Sequence, residues 1–211
     1  MTAETILTMA DGRGIDLLNV TADDICFATL AEHLAKEKRY NGATPGVEYS
    51  VAQHLCIGTA AILKQGGTEE EAAYFHLHDV QEGIWKDDPT PKKRAIAERI
   101  AQRCGILSED IIEILDEIVN EHDAAIHQAA GLAWPMTPER ARTVKMMDLI
   151  MFVTEWRDLM LDRPHPNWAP YSGLKPLEQK IEPWPWQQAR NCWMAFAYEL
   201  LPSLRKMRAT A

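Results

Sequence analysis

Long apolar runs are missing from the chain. No stretch of its 211 residues reaches the roughly 18 uncharged apolar residues that a membrane-spanning helix needs, and the opening "MTAETILTMADGRG" has neither the basic start nor the apolar centre of a signal peptide. A cytoplasmic protein that makes no use of a membrane is expected. Positive charge is in deficit, 22 Lys and Arg against 31 Asp and Glu for a net −9, which argues against binding a nucleic acid polymer through its phosphates. Any phosphate ligand must be small and met by a few local cations. The four cysteines, Cys26, Cys56, Cys104 and Cys192, are scattered and form no CxxC pair, so they read as reduced packing residues and supply neither a disulfide framework nor a thiolate zinc site. Walker loops, dinucleotide fingerprints and serine or cysteine nucleophile motifs are missing too, which leaves covalent and cofactor-driven chemistry without support. With no repeat, low-complexity tract or linker, residues 1–211 read as one domain.

What is present is a globular composition, 46% apolar and 25% charged, cut into helical segments by capping residues. Thr21 is placed to cap a helix over 22–38, and Ser50 one over 51–65 that stops at Gly66-Gly67. Thr68 with Glu71 spells a capping box before a helix over 70–82. Pro91 opens 92–104, closed by Gly105; Ser108 caps 109–130, closed by Gly131; Thr137 and Pro138 start 139–160; a last helix runs from Pro185 to Leu204. The expected fold is therefore an all-α bundle. Two regions depart from it: "TILT" and "GIDLL" around "MADGR" predict a small N-terminal β-hairpin, and the proline-rich 162–185 predicts a long ordered loop packed, with the C-terminal helix, on the bundle. Its tryptophans, Trp168, Trp184 and the adjoining Trp186, are expected to pin that loop.

The stretch "AAYFHLHDVQEG" puts His76, His78, Asp79 and Glu82 into helix-favouring apolar sequence. On a helix, residues 78, 79 and 82 share one side, whereas His76 lies about 200° from His78 and reads as a hydrogen-bonded core residue. Clustered carboxylates in an apolar setting need a compensating cation or donor, and a histidine beside an aspartate is a natural start for a divalent-metal site. Two more ionisable residues stand where aliphatic ones are expected: His54 in "SVAQHLCIGTAA" and Asp148 in "VKMMDLIMFV". Two histidines and two carboxylates on three helices would suit one divalent ion, such as cobalt, manganese, zinc, iron or magnesium. A second pair, His122-Asp123 in "VNEHDAAIH", has Ile126 where the first has Glu82, and reads as a solvated helix face.

The order His, His-Asp, distant Asp resembles the HD-domain metal-dependent phosphohydrolases, which are all-helical. More finely, "HDVQEGIWKDDPTP" is similar to the corresponding segment of bacterial HD-domain 5′-deoxynucleotidases and of phage deoxynucleoside-triphosphate hydrolases, the likeness covering about residues 37–160. That resemblance implies metal ligation by His54, His78, Asp79 and Asp148, an acid–base or water-orienting role for Glu82, and a second polar role for Asp87. Arg39, 15 residues before His54, matches a phosphate-binding arginine. Tyr40 stands where those enzymes carry a sugar-pocket tryptophan, and Lys93 and Lys145 match phosphate-side lysines. It also implies an enzyme with a small nucleotide as substrate, and leaves room for a homodimer. Release of phosphate from deoxynucleoside 5′-monophosphates is the leading expectation. Triphosphate hydrolysis, alarmone pyrophosphate cleavage and non-catalytic nucleotide sensing are the alternatives.

Overall fold

The computed structural model describes residues 3–86, 89–161 and 166–209, and they form an all-α bundle with one two-stranded sheet. The sheet is the hairpin expected from the alternation: β1 (Ile6–Thr8) pairs antiparallel with β2 (Gly14–Asp16), in the register Leu7 to Ile15. Ile15 enters the core, and Gly12 supplies the left-handed turn at φ +82°.

The helices follow in order: α1 (Phe27–Lys36), α2 (Val51–Lys64), α3 (Glu69–Leu77), α4 (Glu82–Trp85), α5 (Thr90–Cys104), α6 (Ser108–Ala130), α7 (Pro138–Leu159), α8 (Trp186–Leu200) and α9 (Pro202–Ala209). Local chemistry sets many of their ends. Ser50 and Thr137 accept the backbone N–H three residues on, Thr68 and Glu71 make the capping box, and Gly105 and Gly131 close α5 and α6 in the left-handed region. α2 is apolar almost all round because it is the central rod, touching α1, α3, α7 and α8. Gly58 lets the Phe75 ring lie against it: a Cβ there would stand 2.2 Å from the ring.

Several boundaries differ from the sequence reading. α1 starts at Phe27, since Asp24 accepts from both the Thr21 N–H and hydroxyl and closes a separate 3-10 turn at Ala22–Asp24. α6 starts at Ser108 itself, with Leu107 as the N-cap, because the Ser108 hydroxyl donates to Glu98 instead. The last helix is split at Leu201, where Pro202 brings no N–H and opens α9. Cys104 is exposed, so the packing role expected of all four cysteines fails for it.

The described part of the proline-rich segment is tied down by polar side chains. Arg157 donates to the carbonyls of Leu177 and Gln179, Thr154 Oγ1 accepts from Leu177 N–H, and Gln53 bonds both Glu182 and Trp184 backbone. Trp184 packs on the core and Trp186 lies under the Lys36 ammonium; the side chain of Trp168 is outside the described residues.

Candidate metal centre

The helix expected over 70–82 stops at Leu77, and the reason matters for the site. From His78 onward the backbone bonds tighten to the i→i+3 pattern: His78 N to Phe75 O, Val80 N to Leu77 O, Glu82 N to Asp79 O and Gly83 N to Val80 O. With three residues per turn, side chains at i and i+3 eclipse, so Asp79 and Glu82 come onto one side. Both line the same cleft.

Behind Asp148 of α7, which also lines that cleft, His54 from α2 and His78 meet it. Asp148 Oδ1 is 3.8 Å from Nε2 of His54 and 3.8 Å from Nε2 of His78, and the three ligand atoms lie within 4.8 Å of one another. Each imidazole is fixed through its other nitrogen. His54 Nδ1 donates to Glu155 at 2.6 Å and His78 Nδ1 to the Phe75 carbonyl at 2.7 Å, which turns both Nε2 atoms toward Asp148. Both Nε2 atoms are buried without a hydrogen-bond partner. Two such nitrogens facing one carboxylate oxygen form a group that can hold a metal ion. Asp79 flanks it, Oδ2 being 3.3 Å from His78 Nε2 and 3.8 Å from His54 Nε2. Burial works against charge on His78, but Asp79 and Asp148 raise its pKa well above the ordinary range; burial likewise opposes ionisation of Asp79 and Asp148, and His78 overrides it to hold both carboxyls low.

Sequence reasoning passed over Glu155, which is fully buried at the centre of the cluster's support. It accepts from His54 Nδ1, from Tyr40 OH at 2.5 Å and from Arg39 Nε at 3.2 Å. Burial would raise its pKa, but the Arg39 guanidinium and His54 hold it down. Its signal was available: Glu155 follows Asp148 by seven residues, two turns along α7 and therefore on the same side. Arg39 bridges two carboxylates, since its Nη1 also reaches Asp79 at 3.0 Å. The loop that presents it bends sharply, with Tyr40 at φ 58° and Asn41 at φ 53°, the strained left-handed region for side-chain-bearing residues. The Tyr40 hydroxyl bond to Glu155 holds that bend.

The cleft above the cluster measures about 720 Å³. Arg39, Tyr40, Asp79 and Glu82 form one side, Asp148, Phe152 and Tyr171 another, and Thr90, Pro91 and Arg94 the start of α5. Phe152 and Tyr171 meet edge to face at 5.7 Å. Lys145 pairs with Asp148 Oδ2 at 2.9 Å while its side chain stays 67% exposed. Lys93 lies apart, 3.9 Å from Asp116 on α6, and the α5 cation in the cleft wall is Arg94. Asp87 is outside the described residues.

Two histidines read from sequence resolve differently. His76 is a buried core residue, bonded to the Trp193 carbonyl and Thr59 and stacked on Trp193, with burial pushing its pKa down to about 3. His122-Asp123 is not a solvated face. His122 is buried with Nε2 donating to the Leu17 carbonyl, and Asp123 turns inward, where burial and then the nearby Asp79 charge push its pKa up to about 8. Asp123 Oδ1 is buried without a hydrogen-bond partner. The polar N-terminal half of α6 disguised this inward turn.

No family model matches the chain. An uncharacterized protein of Rhodobacter capsulatus is 32% identical to it over 145 residues, covering 67% of this chain and 66% of the relative. The uncharacterized protein YfdR of Escherichia coli is 33% identical over 143 residues, covering 68% and 66%. The match thus spans just under two thirds of each relative's own length.

Proposed function

We propose that the chain is a divalent-metal-dependent phosphohydrolase of the HD-domain type that acts on nucleotides, releasing phosphate from deoxynucleoside 5′-monophosphates. The observation that carries this reading is the pair of buried, unpartnered imidazole nitrogens converging on Asp148, a residue that lines an open cleft. His54, His78 and Asp148, joined by Asp79, would hold the ion. When bound, a divalent ion supplies water of lowered pKa and a positive site for a phosphate oxygen. The remaining work falls to the chain itself. Glu82, brought onto the Asp79 side by the tightened turn, orients the water or takes its proton. Arg39 faces the cleft with two of its nitrogens committed to carboxylates, so its remaining Nη2 is the group available to a phosphate oxygen. Phe152 and Tyr171, set edge to face, offer an apolar wall to the nucleoside.

Hydrolysis of a nucleoside triphosphate is the second reading, and Arg94 favours it. A cation at the start of α5, in addition to Arg39, suits a longer phosphate chain better than a single phosphate.

The test is a panel of nucleoside mono-, di- and triphosphates, offered to purified protein with several divalent metals and with chelator, reading phosphate, pyrophosphate and triphosphate. Metal-dependent phosphate release from deoxynucleoside monophosphates is expected, with Glu82→Ala lowering kcat by about 10²- to 10⁴-fold while metal binding persists. Turnover that is indifferent to chelator, or that survives Glu82→Ala unchanged, would reject the reading.

A further inference from the structure

We propose that Cys56 and Cys192 form a dithiol site at which a small peroxide is reduced and the two sulfurs join as a disulfide. More than half the chain separates them in sequence, and the fold brings them together where α2 packs on α8. The Cys56 S–H points to the Ala189 carbonyl oxygen, 4.0 Å from Sγ, and Cys192 follows Ala189 by three residues, on the same side of α8. Both thiols line one cavity of about 530 Å³, walled by Ile57, Ile150, Trp184 and Phe196. None of the described residues lining it lines the metal-centre cleft. His54 and Cys56 lie two residues apart on α2, about 200° round the helix, so the dithiol and the metal centre occupy different sides of it.

The two thiols have different surroundings, and these set their roles. Cys192 is partly open on the cavity wall, whereas Cys56 is 1% exposed. The Cys56 thiol, bonding to its neighbour, holds the Cys192 pKa below the ordinary thiol value, while burial pushes that of Cys56 well up. An accessible, thiolate-prone cysteine beside a buried one is the arrangement of an attacking and a resolving thiol. The Cys192 sulfur attacks one oxygen of hydrogen peroxide, the O–O bond breaks, and the departing oxygen leaves as water with the thiol proton. Cys192 is then a sulfenic acid. The Cys56 sulfur attacks it, the S–O bond breaks, and a second water leaves with the Cys56 proton as the S–S bond forms. The two thiols together lose two electrons and two protons, and the peroxide ends as two waters. A zinc ion is the poorer occupant, since no histidine or third cysteine lines the cavity among the described residues to complete a tetrahedral set. The disulfide would fasten α8 to the helix that carries His54.

Peptide mapping of the full chain tests the proposal. The reduced, folded protein is treated with hydrogen peroxide in the presence of chelator, its remaining thiols are alkylated with iodoacetamide, and it is digested without reductant. The peptide bearing Cys56 is expected linked to the one bearing Cys192, within a single chain of unchanged helical circular dichroism, and to be released by dithiothreitol. Exposed Cys104 serves as the comparison and should not join the pair. In Cys56→Ser the sulfenic acid has no resolving thiol, so dimedone should label Cys192. In Cys192→Ser, Cys56 should stay reduced. The wild-type map decides the matter even where a variant folds poorly. Cys56 and Cys192 that remain alkylatable while Cys104 is oxidised, a link that forms only in urea, or Cys56 joined to Cys104 or to another chain would overturn the proposal.

Discussion

Replacing Glu155 by Gln keeps the side chain's shape and removes its charge at the most buried point of the site. In the wild type the carboxylate accepts from His54 Nδ1, Arg39 Nε and Tyr40 OH, with no exposed surface. A glutamine oxygen can still accept from His54, but the amide NH₂ then faces the Arg39 N–H, a donor against a donor. Removing one partner of a buried charge pair costs about 3–5 kcal/mol, more than the 1.5–3 kcal/mol of a single hydrogen bond to a charged group, because Arg39 is left with Asp79 alone. Against a total stability of about 5–15 kcal/mol this is a large fraction. The rest of the effect should appear in metal binding. Loss of a carboxylate that orients a ligating imidazole lowers affinity by about 10- to 100-fold. Urea denaturation of metal-free protein should therefore show an earlier midpoint at the same slope, and calorimetric titration with manganese or zinc a weaker site. A Glu155→Gln protein with wild-type midpoint and metal Kd would refute the view that Glu155 organises the centre.

Asp123→Asn should alter the pH dependence of folding in metal-free protein. A carboxyl raised to about 8 stabilises the fold fully below its unfolded value and loses that contribution as pH climbs, so the wild type should weaken between about pH 4 and 8, by up to roughly 1.4 kcal/mol per unit, and the variant should not. Parallel denaturation profiles across that range would contradict it. Arg94→Ala should raise KM for a nucleotide triphosphate about tenfold or more, the scale of one charge-assisted bond, whereas Lys93→Ala should change it little; steady-state kinetics on the pair would expose a reversed order. Gly58→Ala puts a methyl 2.2 Å from Phe75 and should destabilise by about 1–3 kcal/mol, read as a lower Tm, with an unchanged Tm counting against the close packing of α2 on α3.

Much of this architecture is legible in local sequence because it is enforced locally. The hairpin alternates, and the Ser50, Thr68 and Thr137 caps are short-range chemistry. His54, His78 and Asp148 were visible as ionisable residues in apolar surroundings. Glu155 was not, since "TEWRD" looks like the ordinary polar end of a helix and only its two-turn relation to Asp148 betrays it. Asp123 sits among acids that do face water, and no pattern separates it from them. The end of α3 at Leu77 has no glycine or proline to announce it. Which of Lys93 and Arg94 faces the cleft depends on the phase with which α5 begins, and α5 begins at Thr90, ahead of Pro91.

The Arg39–Glu155 and His54–Glu155 bonds close loops of 116 and 101 residues, nearly half the chain or more. Contacts of such long range are reached slowly, because the entropy of loop closure is lost before any contact rewards it. During synthesis the segments bearing Arg39, His54 and His78 emerge well before the one bearing Asp148 and Glu155. His54 and His78 thus meet Asp148, and His54 its orienting Glu155, when a single helix, α7, docks. A cation held by His54, His78 and Asp148 would then report that α7 has docked.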